Sequence, residues 1–265
     1  MATTSGSPLT RERYLILALL LVLAAAAWAL LIGQAGMAGE MGMGLTMGMA
    51  VPVFLGIWVA MMVAMMFPTA APMILVFARV NATRRERGSA FVPTWIFVAA
   101  YLLIWIAFGA VAYVLATAAE GLAASSMWLM ENGPRIGGVV LVLAGLYQLS
   151  PLKRVCLSKC RSPMQFIMTG WREGRGGAFR MGLEHGLYCL GCCWLLFVIL
   201  FPLGMMNVAA MALITVLIFA EKSLPLGRQV GLAAAGLLIA YGLLVVLVPG
   251  ALPTTMAASA ATPTA

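Results

Sequence analysis

Residues 92–117 read VPTWIFVAAYLLIWIAFGAVAYVLAT, a run from Val92 to Thr117 that holds no charge. A hydrocarbon core about 30 Å thick is crossed by roughly 20 helical residues, so this run predicts a transmembrane helix. Comparable apolar runs flank it on both sides. They cover Tyr14 to about Ile32, Val51 to Phe77, Ile136 to Ser150 and Met181 to Phe201; one more follows the Pro202-Leu203-Gly204 turn to about Ala220, and a last one ends near Val248. The expected fold class is therefore all-α: a polytopic membrane helix bundle of about seven transmembrane helices. A hydrophobic share of 63%, a charged share of 9% and a mean hydropathy of +1.04 exclude a soluble globular domain.

The formal net charge of +8 sits between these runs rather than within them. With seven helices and a cytoplasmic amino terminus, every Lys and Arg except Arg135 falls on the inner side, which is the orientation the positive-inside rule favours. The basic runs carry no interleaved aromatics and no nucleic-acid module, so no nucleic-acid partner is expected; the lipid bilayer is. The expected organisation is a cytoplasmic tail over residues 1–13, one transmembrane metal-binding domain over 14–248, and an unstructured outer tail over 249–265. Arg11 and Arg13 ahead of the first apolar run resemble a signal peptide, but the length of the run reads as a retained helix.

Chemistry concentrates in Glu184-His185-Gly186-Leu187-Tyr188-Cys189-Leu190-Gly191-Cys192-Cys193-Trp194, which holds the chain's one His and three of its five Cys. An ionisable group inside a membrane segment is costly and marks function by default. Thiolate and imidazole together suit Cu(I) or Zn(II). At about 100° per residue, Met181, Glu184, His185, Tyr188, Cys189 and Cys192 share a face, with Cys193 at its edge. His185 and Cys192 are roughly 10 Å apart along an unbroken helix, too far to share one ion, so two sites or a short relay through Cys189 are expected. Glu184 reads either as a group that orients His185 or as the partner of a nearby basic residue. The bland alternative is that Cys is simply a small, buried apolar residue.

Thioethers decide the metal. Met61/Met65 and Met62/Met66 are i,i+4 pairs, Met73 follows on a similar face, and Pro68 and Pro72 interrupt the same helix. The segment 34–50 adds Met37, Met41, Met43, Met47 and Met49 among glycines, in a place where no core needs filling. Thioethers select Cu(I), which makes Cu(I) the expected ion and zinc the alternative. Against this stands the use of Met as a flexible core filler. Five Cys, three of them in one apolar helix, are no secreted disulfide framework. Cys156 and Cys160 in a basic loop read as a transfer site or as a juxtamembrane anchor. Glu221-Lys222 reads as a structural or interfacial ion pair.

The segments WVAMMVAMMFPTAAPMILVFARV (58–80), GLYQLSPLKRVCLSKCRSP (145–163) and MGLEHGLYCLGCCW (181–194), followed by Glu221-Lys222-Ser223-Leu224-Pro225, resemble a bacterial family of predicted metal-binding integral membrane proteins, often labelled copper chaperones. The resemblance implies a multi-pass metal binder in a bacterial inner membrane. Together with the ligand chemistry it leads to a copper-binding protein that captures Cu(I) and delivers it to a partner cuproenzyme. The alternatives are a membrane copper-dependent oxidase or monooxygenase on a lipophilic substrate, or a passive copper permease; the single His argues against the enzyme, since copper oxygenases use several, and leaves an enzyme the less favoured reading. Thiol–disulfide exchange through Cys189 and Cys192 ranks last.

Overall fold

The computed structural model describes residues 8–37, 45–88 and 92–254, and among them the only regular structure is helical. The long helices are α1 (Pro8–Met37), α2 (Val51–Glu86), α3 (Thr94–Ser125), α4 (Met127–Gln148), α7 (Gly174–Val198) and α10 (Gly227–Leu247). Between them lie α5 (Pro151–Arg161), α6 (Pro163–Thr169), α8 (Leu200–Leu203) and α9 (Val208–Ser223). Five helices, α1, α2, α3, α10 and α7 with its extension to Leu203, are long and apolar enough to cross a membrane. A sixth span arises if α4 and α5, bent by 62° at their junction, count as one broken crossing. The count is thus five or six rather than the expected seven. The difference lies in α9, whose 16 residues rise only about 24 Å, less than the hydrocarbon core, and, at a count of five, also in α4.

The expected loop over 151–180 is also corrected, since most of it is helical. Ser150 caps α5 by accepting a hydrogen bond from Lys153 N at 3.1 Å, and Pro151 occupies the first helical turn. A Ser-Pro start of this kind satisfies one orphan N–H and presets the backbone for helix. The tail expected to be unstructured from Pro249 begins instead with a 3-10 turn, Pro249–Ala251, and a buried Leu252; residues 255–265 lie outside the described residues.

Packing follows small residues. α4 lies along α10, where a Cβ on Gly138 would meet Gly242 O at 2.8 Å and one on Gly242 would meet Gly138 O at 2.7 Å. Only hydrogen at these positions lets the two backbones approach so closely. α1 lies along α2, with Trp28 Nε1 donating to Ala64 O at 3.1 Å. At the basic end of the bundle, Arg84 stacks over Trp171 and pairs with Glu173, joining α2 to the start of α7.

Candidate metal centre

The site is built on the buried face of α7. Met181, Gly182, His185, Gly186, Cys189, Cys192 and Cys193 are all buried there, at the spacing of a helix stripe. Gly182 and Gly186 press this face against α3: their Cβ atoms would lie 2.8 Å from Ala100 Cβ and from Ile104 Cγ1 respectively. That approach brings the Tyr101 hydroxyl of α3 within 3.2 Å of Cys189 Sγ.

The sulfurs of Cys189, Cys192 and Cys193 all lie within 4.8 Å of one another. Three sulfurs each about 2.3 Å from a common ion stand about 4 Å apart in a trigonal plane, so this turn of helix has the dimensions of a three-thiolate site. The thiols of Cys192 and Cys193 both donate to Cys189 O, at 3.1 and 2.8 Å, which holds them on the same side of the helix. Where the sequence leads one to expect two sites or a relay from His185 through Cys189 to Cys192 or Cys193, the three sulfurs form a single constellation without His185. All five cysteines are free thiols.

Two neighbours were not foreseen in these roles. Lys222, at the end of α9, does not pair with Glu221; its Nζ donates to Cys189 Sγ at 3.1 Å and to Thr69 Oγ1 at 3.4 Å. Thr69 in turn reaches Met66 Sδ at 3.8 Å, so one ammonium links the thiols of α7 to the thioethers of α2. Glu221 turns the other way, to a buried pair with Lys153 (2.6 Å) that Gln148 completes by donating to Glu221 Oε1 at 3.0 Å. A charge near the end of an apolar helix was the one signal for Lys222. Its target is a residue 33 positions away and carried no signal. Cys160, half-buried in the last turn of α5, brings a fourth thiol into contact with Cys189 and Cys192, although its sulfur stays outside the tightest group of three.

His185 stands one turn before Cys189 and outside that group. Its ring lies between Tyr101 and Phe97, with centroids at 5.2 and 5.8 Å, and Phe166 closes a third side at 5.9 Å. Neither ring nitrogen has a hydrogen-bond partner among the described residues. A buried imidazole without a partner asks for a water or a metal ion. Glu184 is apart from this pocket: it is partly exposed and sits 3.2 Å from Arg180 and 3.5 Å from Arg172, the second of its two expected roles.

The methionines divide. Met61, Met62, Met65, Met66 and Met73 are all buried in the bundle core with α2 as their common support, and α2 remains one helix through Pro68 and Pro72. Of the 34–50 segment, Met49 is buried and accepts a bond from Tyr113 OH at its carbonyl, 3.1 Å away. Met47 sits in a turn with φ 54°, next to Thr46, whose N and Oγ1 both donate to Glu120. Met41 and Met43 lie outside the described residues.

Helices that suit a bilayer and a buried triad of thiols with the dimensions to hold a metal ion suggest a metal-binding membrane protein. Comparison with curated proteins and with solved structures gave no match. The model of the PpoB2 family, described as a copper chaperone, matches residues 55–245, which include α7, α9 and nearly all of α2, and the chain therefore belongs to the PpoB2 copper chaperone family.

Proposed function

We propose that this protein binds Cu(I) through Cys189, Cys192 and Cys193 and hands it to a partner cuproprotein. The observation that carries the reading is the group of three buried sulfurs within 4.8 Å, in a chain of a copper chaperone family. Thiolates favour Cu(I) over harder ions, and three of them around Cu(I) leave net negative charge that the Lys222 ammonium offsets. The thioethers of Met61, Met62, Met65, Met66 and Met73 form the other half of the path, with Thr69 and Lys222 at the junction. Met41, Met43, Met47 and Met49 collect the ion on the outer face. His185 offers a separate nitrogen ligand one turn away, and Glu184 tethers that end of α7 through its arginines.

The chain is placed in a bacterial inner membrane with its amino terminus in the cytoplasm, an orientation that rests on the one-sided distribution of Lys and Arg. Cys160, the fourth thiol at the end of α5 beside the triad, is the exchange ligand in this reading.

The test is the metal content of the full chain, purified in detergent under reducing conditions, against a Cys189/Cys192/Cys193→Ser variant. Copper in the first and none in the second supports the reading. Zinc in the first, or equal copper in both, sinks it.

A further inference from the structure

At the basic end of the bundle, α5 contributes to a second feature besides its thiols. A cavity of about 270 Å³ opens between α4, α5, α9 and α10, and Arg154, Arg161 and Arg228 line it. Its other charged residues are Lys153 and Glu221, which neutralise each other in their buried pair, so the three guanidiniums set its sign. Arg161 donates to Leu224 O at 2.9 Å. The cavity also lies against the first turns of α10, at Gly227 and Gly231, where the positive end of the helix dipole adds to the field. These two glycines keep the wall open: a Cβ on Gly227 would meet Arg161 Nη1 at 2.8 Å and one on Gly231 would meet Glu221 Oε1 at 3.2 Å.

Guanidinium forks match phosphate oxygens in pairs. The rest of the lining is mixed: Gln148 and Ser158 are polar and Leu149, Leu157 and Leu232 apolar, with Leu149 and Leu232 exposed on the flanks of α4 and α10. A soluble phosphate has no use for an aliphatic wall, whereas an acyl chain does. Basic pockets between membrane helices at the interface are suited to acidic lipid headgroups. We infer that this cavity holds the phosphate headgroup of an anionic phospholipid, with the acyl chains running along Leu149 and Leu232.

The test is native mass spectrometry of the full chain in mild detergent, titrated with dioleoyl phosphatidylglycerol or with dioleoyl phosphatidylcholine. One phosphatidylglycerol is expected to bind in preference to phosphatidylcholine. Arg154→Gln/Arg228→Gln should weaken it roughly tenfold or more, on the scale of about one charge contact per arginine. Both arginines are exposed, so the double variant should melt as the parent does. Gly231→Leu, which fills the cavity and keeps every charge, should weaken phosphatidylglycerol as well. Equal binding of the two lipids, or unchanged binding in both variants, overturns the inference. Displacement of phosphatidylglycerol by millimolar inorganic phosphate also overturns it, by assigning the site to a soluble anion.

Discussion

Lys222 Nζ lies 3.1 Å from Cys189 Sγ, and both groups are buried. An ammonium cannot ligate Cu(I), yet a buried thiolate–metal group is costly without a counter-charge. Lys222→Leu should therefore lower Cu(I) affinity by about tenfold or more, the equivalent of about 1.4 kcal/mol. Lys222→Arg should recover part of it. Competition against a Cu(I) chelator measures both, and equal affinities in all three proteins would remove the charge-balancing role.

Cys160 should matter for rate more than for affinity. If it is the exchange ligand, Cys160→Ser slows transfer of bound Cu(I) to an acceptor chelator while the equilibrium copper content stays near one ion per chain bound by the triad. Stopped-flow transfer alongside metal analysis separates the two. Unchanged rates would leave Cys160 as a packing residue.

His185 can be tested by shape. Phe keeps the aromatic plate between Phe97 and Tyr101 but removes both nitrogens. His185→Phe should melt as the parent does and keep the ion at the triad, while a second, nitrogen-bound copper taken up at excess Cu(I) is lost from the X-ray absorption spectrum. A spectrum identical to the parent's assigns the imidazole to packing or to a buried water.

The Lys153–Glu221 pair is structural. Both side chains are almost wholly buried, and removal of one partner strands the other, a loss of about 3–5 kcal/mol. Lys153→Met alone should lower the melting temperature in detergent markedly. Lys153→Met/Glu221→Leu should recover most of the loss, since two apolar groups leave no unpaired charge. A single variant that melts like the parent would contradict the burial.

Close contact between α3 and α7 positions Tyr101. Gly186→Val would place carbon where Ile104 Cγ1 already stands, 2.8 Å from an added Cβ, and overpacking of this kind costs about 1–3 kcal/mol. The expected outcome is a lower melting temperature together with weaker copper retention. Retention at the parent level would detach the triad from the α3 contact.

The parts of this structure legible in the sequence are those written within one helix. The run 92–117 gave a membrane helix because nothing else accommodates such length without charge, and α3 covers most of it. The nearness of Cys189 to Cys192 or Cys193 was legible because these positions lie within about one turn, but the closure of all three sulfurs into one group was not. α5 was not: Lys153, Arg154 and Lys159 look like a solvated loop, and only Glu221, 68 residues later, makes Lys153 a buried residue. Tyr101, Thr69 and Lys222 join the site across helices, and such contacts leave no period to read. α9 misled because its composition is that of a spanning helix while its length is not.

The split of Glu221 and Lys222 has a consequence for how the chain is made. Every partner they find, Thr69, Gln148, Lys153 and Cys189, precedes them in the sequence. The two charges thus leave the ribosome when their counterparts have already been synthesised, and α9 can dock as a plug into prepared sockets. The thiol triad thus acquires its ammonium late in synthesis, with α10 still to follow and pack along α4.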